Sequence, residues 1–419
     1  MKDELVQTAI DNFFLTSKDF NGIALPKLLN GFENDEAALR HTLTRLVHAG
    51  TISLQYGINP HIIRTSHYTA DEQLDLLANQ PFSSACAYPT EDRMLSIRVL
   101  DPLLGKPYSQ KLALASPQLQ LAYFEMDVLE RYINDPRYRF DMDDYDGFIS
   151  IGDDFAEDNS VAERDRVFLQ SFGIGYRSSD RKRLVCVYLC YLNRLTPEHQ
   201  AHWNGREVND ECVPFPTYYA NTALGEWDSC ISMFTSFLQE QKLINELSVH
   251  LYGKALFRRD FLDDRPREFM YLLAPTAKHF NVFIHVLDKL LAENLDKAFF
   301  EDRVRTMERE IEIVPGKVRI ETKGTIALLD EWLKPMFRDE PNYEVAMIAP
   351  LRYVRRMRQQ PAHSLSPNIY NTALLDQQTR LMEEVLTALI NIRHHLQRHP
   401  LAKDLATPNW YRTCKTIKI

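Results

Sequence analysis

Four arginines, Arg352, Arg355, Arg356 and Arg358, crowd one short helix-patterned segment, and a histidine, His363, follows five positions after the last of them. A guanidinium is always charged and presents planar donors that match a phosphate. An imidazole titrates near neutrality, so the two together suit phosphoryl chemistry. On an ideal helix, positions five apart point roughly 140° away from each other, and Arg358 and His363 therefore do not share a face of a straight helix. Pro361 lies between them, removes a backbone donor and disfavours the helical region for Gln360. A kink or a restart is expected where the two side chains must converge. The bland reading of the same residues is a solvated basic face followed by a helix cap, and the residues alone leave both readings open.

Competing chemistries lack their residues. There is no phosphate-binding glycine loop, no Gly-x-Ser-x-Gly elbow and no His-Glu-x-x-His pair, so nucleotide hydrolysis, serine hydrolysis and zinc peptidase chemistry have no sequence support. Six cysteines are scattered through the chain. Cys186 and Cys190 would face one side of a strand over 183–192 but stand too far apart along it to clamp an ion, and no second Cys or His pair has ligand spacing. They read as core thiols, and neither a metal nor a cofactor is expected. His199 and His202 share a helix face without a third ligand nearby and read as surface histidines. The acidic run 141–165 aligns Asp144, Asp146 and Gly147 with a calcium loop but places Met142 at the first ligand position, which favours a solvated turn.

The elements that must position the arginines are helical. From 275 onward, apolar residues recur at helical spacing: Phe280, Phe283, Ile284, Leu287, Leu290 and Leu291 on one helix, then Phe300, Val304, Met307 and Ile311 on a second. After a turn at Pro315 and Gly316 come helices over 325–337, 343–357 and 376–396, so an antiparallel bundle is expected over 267–400, with a tail over 401–419. The arginines and His363 fall between its last two helices.

Upstream the pattern differs. Residues 3–16, 23–30 and 35–49 pattern as three helices, followed by an alternating strand over 51–56 that turns at Gly57 and returns over 61–64. That is the order of a winged helix over 1–70, whose third helix would expose Arg40, His41, Thr44, Arg45 and His48 to a nucleic acid; because the segment carries a net charge of −1, a protein-interaction or purely packing winged helix is the other reading. Between about 80 and 255, short strands over 95–100, 147–151, 166–176 and 183–192 predict an α+β domain with a mainly antiparallel sheet. Thr196 and Pro197 start a helix there. A long amphipathic helix over 226–251, with Trp227, Ile231, Phe234 and Leu247 facing inward, follows. The fold class is multidomain α+β.

Charge separates the same regions. Residues 1–68 hold 6 basic against 7 acidic side chains, 69–266 hold 20 against 32, and 267–419 hold 23 against 19. Only the last has a positive balance, which suits contact with a phosphate backbone. The start of the chain is acidic where a secretion signal would be basic, and no run of about 18 apolar residues occurs, so a cytoplasmic protein without membrane contact is expected.

The Arg358 to His363 spacing within amphipathic helices resembles the Arg-x4-6-His motif of HEPN domains, the helical-bundle ribonucleases of toxins, CRISPR effectors and phage-defence proteins. The text over 364–370, and a long helix ending in Leu396, Gln397, Arg398, His399 and Pro400, is similar to the ApeA-like branch. The likeness covers about the last third of the chain. It implies a metal-independent endoribonuclease in which Arg358 holds the phosphate, His363 moves protons and Gln359 orients either group, leaving a 2',3'-cyclic phosphate. Arg352, Arg355 and Arg356 would bind neighbouring phosphates. It further implies a homodimer through the bundle and a phage-derived or protein trigger. Active members carry Asn, Asp or His after the motif arginine where this chain has Gln359. The alternative is a catalytically silent HEPN and winged-helix protein that binds nucleic acid or a partner.

Overall fold

The computed structural model describes residues 2–31, 34–63, 68–97, 100–143, 145–227, 230–314, 317–337, 342–359, 367–403, 405 and 407–417. His363, Gln360, Pro361, Asp144 and the Pro315 and Gly316 turn lie outside them. The chain is a mixed α+β protein that divides into two compact units. One comprises 1–141 with 146–227, the other 142–145 with 228–419.

The first unit opens with α1 (Lys2–Thr16), β1 (Ile23–Ala24), α2 (Leu25–Asn30) and α3 (Glu36–His48). Asp35 caps α3 by accepting a hydrogen bond from the Ala38 amide, and Leu39, Leu43, Leu46 and Val47 are buried beneath it at the expected helical spacing. Strand β2 (Ile52–Tyr56) follows. Its antiparallel partner is not the expected stretch 61–64, of which 61–63 form a turn. The partner is β3 (Ala85–Pro89), reached after the intervening helix α4 (Ala70–Asn79), and the sheet order is β1-β3-β2. Ala85, Cys86, Ala87 and Tyr88 are all buried, so β3 sits centrally between β1 and β2, whereas His61 is exposed and a central strand would take its imidazole out of water.

Residues 95–97, expected in a strand, instead end a short helix, α5 (Glu91–Ile97). Thr90 precedes it and its first turn is acidic, a local start signal that outweighs the apolar alternation. The central sheet is antiparallel throughout its described pairings: β4 (Leu121–Glu125), β5 (Tyr138–Met142), β6 (Asp146–Ile151), β7 (Phe168–Arg177), β8 (Arg183–Tyr188), β9 (Glu207–Val208) and β10 (Cys212–Pro214). The order is β5-β6-β7-β8-β4-β9, with β10 also pairing on β7. Leu184 to Tyr188 are buried without alternation, as a strand covered on both faces must be. Strand β8 stops at Tyr188, so Cys190 lies on a helical turn and does not share a strand with Cys186.

Helix α6 (Pro197–Asn204) starts at Thr196 and Pro197 as the sequence predicts. His199 on it is a correction, because it is fully buried. Its Nδ1 lies 2.8 Å from the Tyr132 hydroxyl, which accepts the Trp203 indole N–H at 2.9 Å. Indole only donates there, so the hydroxyl proton is available to Nδ1 and the ring stays neutral.

The second unit starts with β11 (Cys230–Ser232), which pairs in parallel with β14 (Lys415–Ile417), and continues into α7 (Met233–Tyr252). The long helix thus begins seven residues later than 226, where Ser232 supplies its cap, and Trp227 is 85% exposed, not inward. Next come α8 (Ala277–Asp288), capped by Thr276, then a wide turn over Lys289–Glu293 and a short turn at Lys297–Phe300. The expected second helix through Met307 and Ile311 is instead a hairpin of β12 (Glu308–Val314) and β13 (Lys317–Thr322). Alternating charged and β-branched residues across 308–314 favour a strand, and this unit is not all-α. Helices α9 (Thr325–Leu333), α10 (Ala349–Gln359) and α11 (Ala373–Gln397) complete it, with α7 against α11 and α8 against α10. Among the described residues no helix is long and apolar enough to cross a membrane.

Candidate active site

A proline sets the position of the arginine helix. Pro350 has no N–H for the carbonyl of Ala346, and the chain there makes a wide π-helical turn over Glu344–Ile348, closed by the Ala349 amide on the Glu344 carbonyl. Asn391 of α11 reaches the Ala346 oxygen at 3.5 Å. Pro350, Leu351 and Val354 are buried, which fixes the rotation of α10 and turns its basic side chains toward neighbouring elements.

Three of the arginines form one ridge at three-residue spacing, and each meets carboxylates. Arg352 donates from Nη2 to Asp330 of α9 at 2.6 Å and from Nη1 to Glu344. Arg355 Nη1 donates to Asp288 Oδ2 at 2.6 Å. Arg358 Nη1 donates to the same oxygen at 2.7 Å and to Glu293 Oε1 at 2.5 Å. Asp288 is the anchor, since its side chain is 1% exposed while that of Glu293 is 43% exposed. Burial opposes the charge on Arg358, but the bonds and charges of Asp288 and Glu293 outweigh it and raise its pKa above the ordinary guanidinium value. Arg356 points elsewhere. It lies over the Tyr353 ring at 5.7 Å, is exposed and has no acidic partner among the described residues.

The structure thus brings together Arg352, Arg355 and Arg358, leaves Arg356 apart, and places Gln359 exposed at the end of α10. His363 lies outside the described residues. Sequence reasoning missed Asp288 and Glu293. The signal was present: Asp288 occupies the stripe position between Ile284 and Leu291, four after the first and three before the second, and a carboxylate in an apolar stripe needs a cationic partner.

On the first unit, the expected nucleic-acid face of α3 is largely tied up. Arg40 pairs with Glu36, donates to the Gln80 carbonyl and lies over Phe82, and Arg45 pairs with Asp3. Thr44 donates to the Arg40 carbonyl, whereas His41 and His48 are exposed. Among the described residues no group of three or more His, Cys, Asp or Glu side chains is placed to hold a metal ion.

A fixed carboxylate beneath two guanidiniums can hold them at one spacing while their other donors meet an incoming anion. Asp288 and Glu293 both engage Nη1 of Arg358, so Nε and Nη2 remain for a phosphate, and exposed Glu293 is the carboxylate an anion would displace. No family model, curated protein or solved structure matches the chain.

Proposed function

We propose that the protein is a metal-independent endoribonuclease of the HEPN type, with its reaction centre at Arg358 and His363. The observation that carries this reading is the Asp288 anchor, which presents Arg355 and Arg358 side by side at the end of α10, immediately before the segment that holds His363. RNA supplies its own nucleophile. The ribose 2'-OH attacks phosphorus, its proton leaves to a base, the bond to the 5' oxygen breaks and that oxygen takes up a proton. His363 performs proton transfer, Arg358 neutralises the added charge on phosphorus, and Gln359 orients one of them. The products are a 2',3'-cyclic phosphate and a 5'-hydroxyl.

Within this reading the second unit is a HEPN-like bundle with a hairpin inserted before α9, and it pairs with a second copy so that two motifs face each other. A phage-derived or protein trigger releases cleavage, and growth arrest is the outcome. The helix order and the β1-β3-β2 sheet of the first unit support a winged helix with α4 inserted in its wing. The ion pairs of Arg40 and Arg45 argue for a packing or protein-contact role over DNA binding. The alternative is a silent HEPN and winged-helix protein that binds nucleic acid or a partner. Incubating the purified chain with mixed RNA in EDTA separates the two. Cleavage with cyclic-phosphate ends supports the enzyme, and intact RNA in the presence of binding supports the alternative.

A further inference from the structure

Next to the arginine ridge the second unit has a half-open cavity of about 420 Å³, whose wall includes Arg258, Glu293, Lys297, Arg355 and the first turn of α9. The backbone that carries its cationic side chains is held by buried structure. Phe257 and Leu295 form an antiparallel bridge, and the Asp296 amide donates to the Leu256 carbonyl at 2.9 Å. Buried Asn294 grips the other strand: its carbonyl accepts from the Arg258 amide at 2.7 Å and its side-chain amide donates to the Arg259 carbonyl at 2.9 Å. The backbones of Arg258 and Lys297 are therefore one clamp across the cavity mouth.

Charge there is not balanced. Asp288 and Glu293 are matched by Arg355 and Arg358, while Arg258 and Lys297 have no acidic side chain within 4 Å among the described residues. That leaves two cations uncompensated on one concave wall. The turn of α9 on the same wall starts at Gly324 without a side-chain cap and without an acidic residue, so its amides add positive potential. A tetrahedral phosphate, with oxygens pointing in several directions, can meet cations and amides around such a wall, whereas a planar carboxylate would reach only part of it.

We propose that this cavity binds a phosphate group of the RNA strand, next to the phosphate held at Arg358, with Arg258 and Lys297 as its charged contacts. This rests on the ribonuclease reading and adds to it a second phosphate subsite shared through Arg355. A free nucleotide carries the same chemistry, and the test distinguishes the two sources.

The full-length chain is titrated with a labelled, uncleavable 2'-O-methyl dodecanucleotide, and separately with adenosine 5'-monophosphate, across salt. Arg258→Gln and Lys297→Gln each remove one phosphate contact, which lowers the slope of log affinity against log salt by about 0.7, so variant and wild type differ about fivefold more at about 20 mM than at about 200 mM salt. Both side chains are exposed, and unchanged melting curves establish that the variants fold. Variant-sensitive binding of the oligonucleotide assigns the site to the strand, and variant-sensitive binding of the mononucleotide alone assigns it to a free nucleotide. Wild-type affinity and slope in the Arg258→Gln/Lys297→Gln double variant, or no binding by wild type, overturns the subsite. RNA cleavage is read in parallel: a wild type that cleaves beside a double variant with unaltered binding removes only the subsite. A wild type that binds through these residues and never cleaves removes only the ribonuclease.

Discussion

Arg358 Nη1 and Asp288 Oδ2 lie 2.7 Å apart, with the carboxylate 1% exposed and the guanidinium 27% exposed. The buried member is the acid, so Asp288 is the fixed part and the arginine the part that can reorganise. Asp288→Asn keeps the shape and removes the charge. Breaking a buried pair costs about 3–5 kcal/mol, but here both guanidiniums can rehydrate, so a loss of about 2 kcal/mol is expected in urea denaturation. Oligonucleotide affinity should move the other way, because Arg355 and Arg358 are no longer neutralised. Wild-type stability in Asp288→Asn would mean that the pair does not persist in solution.

Arg358→Ala and His363→Ala should each abolish RNA cleavage. Arg358 leaves Asp288 with Arg355 alone, so its removal should also cost about 1–2 kcal/mol, more than a solvated side chain at a helix end would. Substrates with 2'-deoxyribose at the cut should resist, since the nucleophile is missing. Full activity in His363→Ala would refute the assignment of proton transfer to that residue.

Burial, with lesser repulsion from Arg131 and His202, pushes the His199 pKa down to about 4. The folded state therefore holds the ring neutral where the unfolded chain protonates it near 6.5. The sign follows: the unfolded state binds more protons below pH 6.5, so this contribution to stability is intact above 6.5 and is lost as pH falls from there toward 4. Between pH 6.5 and pH 5 the loss is about 2 kcal/mol. Melting of wild type against His199→Gln over that range should show a steeper acid slope for wild type, and parallel slopes would show that His199 does not titrate this way.

Much of this architecture is legible in the residues. Leu39, Leu43, Leu46 and Val47 give α3, and the stripe Leu381, Val385, Leu389, Ile392 and Leu396 gives α11, because one-sided burial leaves a period. What local pattern hides is pairing at a distance. The partner of β2 stands past an inserted helix, and the span through Ile311 has apolar residues that satisfy a helical stripe and strand alternation alike. The basic segment was visible, whereas its neutralising acids, Asp288, Glu293 and Asp330, are set by packing of separate helices. A histidine pair at helical spacing likewise says nothing of the aromatic pocket formed by Tyr132 and Trp203 around His199.

Glu240 and Arg393 form the most buried ion pair of the second unit among the described residues, Oε2 to Nε at 2.5 Å, with side chains 1% and 8% exposed. Tyr411 donates its hydroxyl to the other oxygen of Glu240 at 2.9 Å, so the same carboxylate joins α7 and α11 to the chain's last turns. Glu240→Gln leaves a guanidinium buried without its counter-charge and should cost about 3–5 kcal/mol. Tyr411→Phe loses one bond to a charged acceptor, about 1.5–3 kcal/mol, and should loosen the segment from 409 onward before the bundle melts. Limited proteolysis would show this as early cleavage in the tail with the bundle intact. Replacing both members of the pair, as Glu240→Leu with Arg393→Met, removes the desolvation cost together with the attraction, so the double variant should be more stable than either single one. Additive losses in that cycle, measured by urea denaturation, would show that the two side chains act independently.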